Sequence, residues 1–196
     1  MRLIAALVLC LLEAVCLPAY ADSAVLLRTA ILANGYTIEI LKSKRELLLL
    51  HGERIARRFT AATGNGGIGD KKYRGDHKTP VGVYYITGFN EQSAFEIFMR
   101  LNYPSLKDGF FGLKRSLITR EEFNRIAEAE RQDAMPPQNT PLGGAIGIHG
   151  IGAETADRLK IHAKLDWTTG CIALTNREIR ELRHFVDVGT KVVIRD

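Results

Sequence analysis

The chain has 196 residues, 46% of them hydrophobic and 25% charged, with a formal net charge of +5 at neutral pH. This length suits one domain with a real core, and the composition excludes a disordered or fibrous chain. The basic residues are spread out with no aromatic interleaving, which excludes a nucleic-acid groove and leaves general solubility or an anionic polymer surface.

Arg2 precedes an unbroken apolar run over residues 3–12, and Ala19-Tyr20-Ala21 forms a small-x-small pattern ahead of Asp22. Charged start, short apolar middle and small-residue end are the three parts of a secretory signal peptide. The run is about 10 residues where a spanning helix needs roughly 20, and Glu13 interrupts it. No stable membrane anchor is expected. Residues 1–21 therefore read as a signal peptide, 22–36 as a linker and 37–196 as the folded domain of an exported, periplasmic protein. Cys10 and Cys16 leave with the signal peptide, so Cys171 has no disulfide partner. Such a thiol is either buried filler or a reactive group, and if exposed in an oxidising compartment it is a liability.

In chain order, residues 36–41 alternate apolar and polar side chains and predict a strand, preceding a charge run of Lys42, Lys44 and Arg45 that reads as a wet face. Residues 46–63 predict a hairpin turning at His51-Gly52-Glu53. A stretch with Gly64, Gly66, Gly67 and Gly69 follows, flexible but without a phosphate-binding pattern. Residues 81–87 and 94–102 predict two more strands, ended by Pro104. Thr119 and Glu122 form a capping box, and Phe123, Ile126 and Ala127 recur at helical spacing, predicting a helix over 120–132 that Pro136 and Pro137 close. The segment 105–144 is too long for a plain loop and predicts an ordered helical lid or subdomain. Residues 145–149 predict a strand, 150–169 a loop and 171–174 a short strand. Thr175 and Glu178 form a second capping box, opening a helix to about Val186, and residues 191–195 make a last strand. The whole reads as mostly β with one or two helices and a helical insertion.

His149 ends one predicted strand ahead of Gly150, and Cys171 begins another behind Thr168-Thr169-Gly170. A thiol needs a base to be a good nucleophile at neutral pH, and an imidazole supplies one. Gly170 permits a tight turn that aims main-chain N–H groups, that of Cys171 included, at a developing oxyanion. By spacing alone, a buried structural cysteine and a satisfied core histidine fit equally well. Thr168 supports the site or simply starts a strand, and Trp167 lines a cleft or packs the core. His77 and Lys78 are ligand-binding candidates or solvated loop residues. His162 is a rival base in the predicted loop, while His51 and His184 receive no role.

The words around these residues are more specific. His149-Gly150 and the run Thr168-Thr169-Gly170-Cys171-Ile172-Ala173-Leu174-Thr175-Asn176 closely resemble the active-site signature of the L,D-transpeptidase family, the YkuD-type catalytic domain. Lys78-Thr79-Pro80-Val81-Gly82-Val83-Tyr84 is similar to that family's threonine-proline-x-glycine strand. Tyr103-Pro104 and Asp166-Trp167-Thr168 resemble features of a periplasmic Gram-negative subgroup. The resemblance implies a β-sandwich or barrel-like catalytic fold over residues 37–196. It implies Cys171 as nucleophile and His149 as general base and acid, commonly oriented by a backbone carbonyl. Gly170, Thr168 and Gly150 fall at oxyanion and supporting positions; apart from the resemblance, an amphipathic ring at Trp167 suits a peptide groove, and His77 and Lys78 are candidates to meet stem-peptide carboxylates. The implied substrate is a peptidoglycan stem tetrapeptide, attacked at the meso-diaminopimelate carbonyl to give a thioester. Another diaminopimelate amine, a lysine of a wall-anchored lipoprotein, or water then takes the acyl group; with water the enzyme is a murein peptidase or amidase. No metal or organic cofactor is implied. Two departures stand out: Ala173 occupies a place often held by arginine or asparagine, and Thr169 one often held by histidine. The rival from another class is a non-catalytic wall-binding module.

Overall fold

The structure, a computed structural model, describes residues 35–196. The expected signal peptide and nearly all of the expected linker lie outside the described residues. The strands are β1 (Tyr36–Leu41), β2 (Glu46–His51), β3 (Arg54–Thr60), β4 (Gly82–Ser93), β5 (Glu96–Leu101), β6 (Gly147–His149), β7 (Ile172–Ala173) and β8 (Lys191–Arg195). The helices are α1 (Leu106–Lys114), α2 (Arg120–Arg131), α3 (Ala156–Lys164) and α4 (Asn176–Arg183). No helix among the described residues is long and apolar enough to cross a membrane.

All eight strands join one mixed sheet in the order β3-β2-β1-β8-β4-β5-β6-β7. Strand alternation explains its inner face. Ile38 and Ile40 of β1, Tyr84 and Ile86 of β4, and Val192 and Ile194 of β8 are all buried, with more open neighbours between them. β8 is central, parallel to β1 and antiparallel to β4.

The two ends of this strand order are brought together by the residues after β3. Ala62 and Ala173 exchange both main-chain hydrogen bonds, at 3.0 and 2.8 Å. Thr168 N–H donates to the Thr63 carbonyl at 3.1 Å, and Asn65 N–H donates to the Thr168 carbonyl at 2.9 Å. The sheet thus curls back on itself, which gives the expected barrel-like character, and the closure runs beside Cys171.

The insertion is an ordered pair of helices with its own small core of Ile118, Ile126 and Leu142. Its second helix starts where the capping box requires: Glu122 N–H donates to Thr119 Oγ1 at 3.1 Å, and Thr119 N–H to Glu122 Oε2 at 2.8 Å. The helices are moored to the sheet through a buried carboxylate. Asp108 accepts from Tyr84 OH at 3.0 Å and from Ser105 N–H at 2.8 Å. Burial pushes the Asp108 carboxyl up, with the Lys107 ammonium pulling the other way.

Two expectations are corrected. Residues 150–169 are not one loop, because α3 occupies their middle, capped by Thr155 Oγ1 accepting from Arg158 N–H. The charge run is not one wet face. Lys44 is exposed, but Lys42 is buried and paired with Asp196 at 2.7 Å. Arg45 donates to the carbonyls of His162, Ala163 and Leu165, satisfying the exposed end of α3.

Candidate active site

His149 ends β6, and Cys171 immediately precedes β7, the neighbouring strand. The parallel register of β6 and β7 pairs Ile148 with Ile172 and His149 with Ala173. The register ends there, with Cys171 one residue before it and the Gly147 N–H favouring the thiolate. Cys171 thus stands just ahead of the strand that lies beside His149, and the hydrogen bonds of its own carbonyl and thiol fix its place.

The backbone around the sulfur is tightly specified. Gly170 has φ +136°, and a Cβ there would stand 2.9 Å from the Lys78 carbonyl oxygen, so both conformation and space require glycine. Thr168 is buried and its hydroxyl works in both directions: it donates to the Cys171 carbonyl at 2.7 Å and accepts from Gly170 N–H at 3.1 Å. The Gly170 N–H, expected to face an oxyanion, is thus committed to Thr168. Thr79 adds a second hydroxyl, which donates to the Cys171 carbonyl at 3.4 Å and accepts from Gly64 N–H at 2.8 Å. Thr79 was missed as a site residue, although it stands in the threonine-proline strand that the sequence displays.

His149 is buried, with its Nδ1 2.6 Å from the Gly150 carbonyl. A carbonyl only accepts, so Nδ1 carries the proton and the Nε2 lone pair is left as the base. Gly150 is itself held by its N–H donating to the Phe95 carbonyl at 2.9 Å. A Cβ at Gly150 would come within 2.6 Å of Asn176 Oδ1. Three rings surround the imidazole: Phe95 with centroids at 4.7 Å, stacked Phe98 at 6.1 Å and edge-on Trp167 at 6.1 Å. Burial lowers the His149 pKa, with the Gly150 hydrogen bond opposing and the nearby His162 adding to the fall. Burial likewise pushes the Cys171 thiol up, against the Gly147 N–H and the Lys71 ammonium. Both shifts favour a resting pair of neutral thiol and neutral imidazole.

Lys71 is a second residue that sequence reasoning missed. It is buried, donates to the Tyr73 carbonyl at 3.0 Å and pairs with Asp76 at 2.7 Å. Burial raises the Asp76 carboxyl, but donors from Lys71, Lys72, Lys78 and Tyr73 outweigh it and hold the pKa below the ordinary value. No local pattern marks a buried cation whose partner arrives through a turn.

The remaining candidates divide. Trp167 faces His149 and donates from Nε1 to His162 Nδ1 at 3.4 Å. His162, the rival base, is buried behind that indole on α3. Lys78 reaches Gly170 with its main chain, while its ammonium donates to the Ile68 carbonyl at 2.7 Å. His77 is exposed, its ring beside Asn65 Oδ1 at 3.1 Å. Ala173 is fully buried beside His149 in the register, and its main chain bonds Ala62. Among the described residues no group of three or more His, Cys, Asp or Glu could hold a metal ion.

Comparison with known proteins identifies the family. The model of the YkuD family, described as the L,D-transpeptidase catalytic domain, matches residues 35–194. No curated protein matches. Among solved structures, the helical cell shape determining protein Pgp2 from Campylobacter jejuni is similar, with 24% identity and a TM-score of 0.53, over 82% of this chain and 47% of that one. Bd1075 of Bdellovibrio bacteriovorus is similar at 22% identity and a TM-score of 0.51, over 83% and 48%. The chain spans about half the length of these structures, and at this identity they speak to the fold. The match over residues 35–194 covers most of the chain, which belongs to the YkuD family of L,D-transpeptidase catalytic domains.

Proposed function

We propose that the protein is an L,D-transpeptidase that remodels peptidoglycan through an acyl-enzyme on Cys171. The observation that supports this reading is the placement of Cys171 directly ahead of β7 and of His149 at the end of the adjoining β6, with Nδ1 of His149 tied to the Gly150 carbonyl. The sulfur attacks the meso-diaminopimelate carbonyl of a stem tetrapeptide while Nε2 of His149 takes the thiol proton. The oxyanion is met by the Cys171 N–H; loss of such a donor typically costs about 3 kcal/mol of barrier. Collapse of the tetrahedral intermediate breaks the peptide bond, and His149 returns the proton to the departing D-alanine amine. A side-chain amine of a second diaminopimelate then attacks the thioester, freeing the thiol and forming a cross-link. The neutral resting pair supports general-base catalysis at the moment of attack rather than a standing thiolate. The charge, apolar run and cleavage pattern of residues 1–21 support action in the periplasm.

The test incubates the protein with purified tetrapeptide muropeptides and reads the products by mass spectrometry. Cross-linked dimers, lost in Cys171→Ser and His149→Ala, are expected. Free tripeptides alone make water the acceptor, and release of lipoprotein from sacculi makes the enzyme an amidase; either replaces the transferase reading. A carbapenem should add once, on Cys171. Absence of both products and adduct leaves only the wall-binding module.

A further inference from the structure

Ala145 is an alanine in the left-handed region, with φ +53°, a conformation that side-chain-bearing residues rarely adopt. It is held there from both sides. Its N–H donates to Gln138 Oε1 at 2.7 Å, and the carbonyl of the next residue, Ile146, accepts from Leu101 N–H at 3.0 Å. Gln138 is fixed in turn, because its Nε2 donates to the carbonyls of Tyr103 and Pro136, both at 2.8 Å. All three of these amide bonds serve one outcome: the Ala145 carbonyl between the pinned points accepts from Cys171 Sγ at 3.3 Å.

We propose that Gln138 is a positioning residue that aims the Ala145 carbonyl at Cys171 and so keeps the resting thiol protonated. A carbonyl can accept from S–H but can only repel a thiolate, so it stabilises the neutral form. The arrangement lets the insertion, which carries Gln138 in the segment after α2, govern a nucleophile just ahead of β7. It also guards the sulfur, since thiolates are the species that oxidants attack. The inference rests on the catalytic reading of Cys171 for its meaning, but its observable is the ionisation of the thiol, which does not need turnover.

The experiment measures the rate of iodoacetamide alkylation of the full chain against pH, with the label placed on Cys171 by peptide mass. Gln138→Met keeps length and removes all three hydrogen bonds. Its inflection should move to lower pH, with the rate at pH 7 rising about fivefold, the worth of one hydrogen bond. Ala145→Gly accepts φ +53° without strain and keeps the carbonyl, so its profile should match the wild type. A cooperatively melting Gln138→Met whose profile coincides with the wild type, or moves upward, overturns the proposal. So does an Ala145→Gly shift as large as that of Gln138→Met. If Gln138→Met does not fold, the Raman S–H stretch of the wild type, isolated by subtracting the Cys171→Ser spectrum, decides. A lowered frequency supports the bond to Ala145, and a free-thiol frequency overturns it. Muropeptide turnover measured alongside separates the two ideas. Normal turnover with an unshifted profile removes Gln138 alone, and a shifted profile without turnover or carbapenem adduct removes the transpeptidase reading alone.

Discussion

Replacing Asp76 by asparagine changes one oxygen to an amide nitrogen and removes one charge. The structure shows what that does. Asp76 Oδ1 accepts from Lys71 Nζ at 2.7 Å and Lys78 N–H at 3.1 Å, while Oδ2 accepts from Lys72 N–H at 2.6 Å and Tyr73 N–H at 3.2 Å. The asparagine oxygen best stays toward Lys71, because the Lys72 and Tyr73 donors lie at the surface, where water can serve them. The loss is then the charge opposite Lys71, whose side chain is only 4% exposed. Breaking a buried pair from one side leaves an uncompensated ion and costs about 3 kcal/mol. For a domain of this size that lowers the melting temperature by about 10 °C. Urea unfolding should show a reduced midpoint at unchanged slope. The companion Lys71→Met, which also removes the buried cation, should slow thiol alkylation near neutral pH, because that ammonium favours the Cys171 thiolate. The double variant with Asp76→Leu should cost clearly less than the two single changes together. A loss under 1 kcal/mol in Asp76→Asn refutes the pairing argument.

The lowered pKa of His149 fixes the sign of the acid limb. The base works only when neutral, so turnover should rise with pH through a midpoint below the ordinary 6.5, and alkylation of Cys171 should inflect above the ordinary 9.0. A turnover midpoint above 6.5 contradicts the burial argument. Phe95→Ala strips the ring nearest the imidazole and admits water, so the acid midpoint should move up toward 6.5. Thr168→Val keeps the shape but removes a donor to the Cys171 carbonyl and an acceptor for the Gly170 N–H. A buried N–H left unpaired costs about 1–3 kcal/mol. Stability should fall by that amount and turnover by about tenfold, with Thr168→Ser restoring both; a folded, fully active Thr168→Val contradicts the role.

What was legible in the sequence follows from how local each cause is. The capping boxes at Thr119 and Thr175 place both helix starts within a residue, because the cap and its carboxylate sit in one turn. The paired strands show in their alternation. The Cys171 and His149 signature predicts two strand ends; His149 does end β6, and Cys171 stands one residue ahead of β7. α3 escaped notice because Arg158 stands where a capping box needs a carboxylate, and only His162 of its residues is buried. α1 escaped because Gly109 and Gly112 lower its helical propensity, and its Ser105–Asp108 box is the shorter, less common form. Lys42, Arg45 and Gln138 take their roles from partners brought in by the fold, so no window of sequence around them reports what they do.

The place of β8 has a consequence for how the molecule comes into being. β1 to β3 and β4 to β7 form two separate arrays, and β8 is the plank between them. The proposed nucleophile and base lie at the second array, but the Ala62 and Thr63 contacts beside them come from the residues after the first. A nascent chain can zip each array, yet those contacts have no fixed address until residues 191–195 arrive. A chain stopped short of Lys191 would carry both Cys171 and His149 yet lack the strand that joins the two arrays.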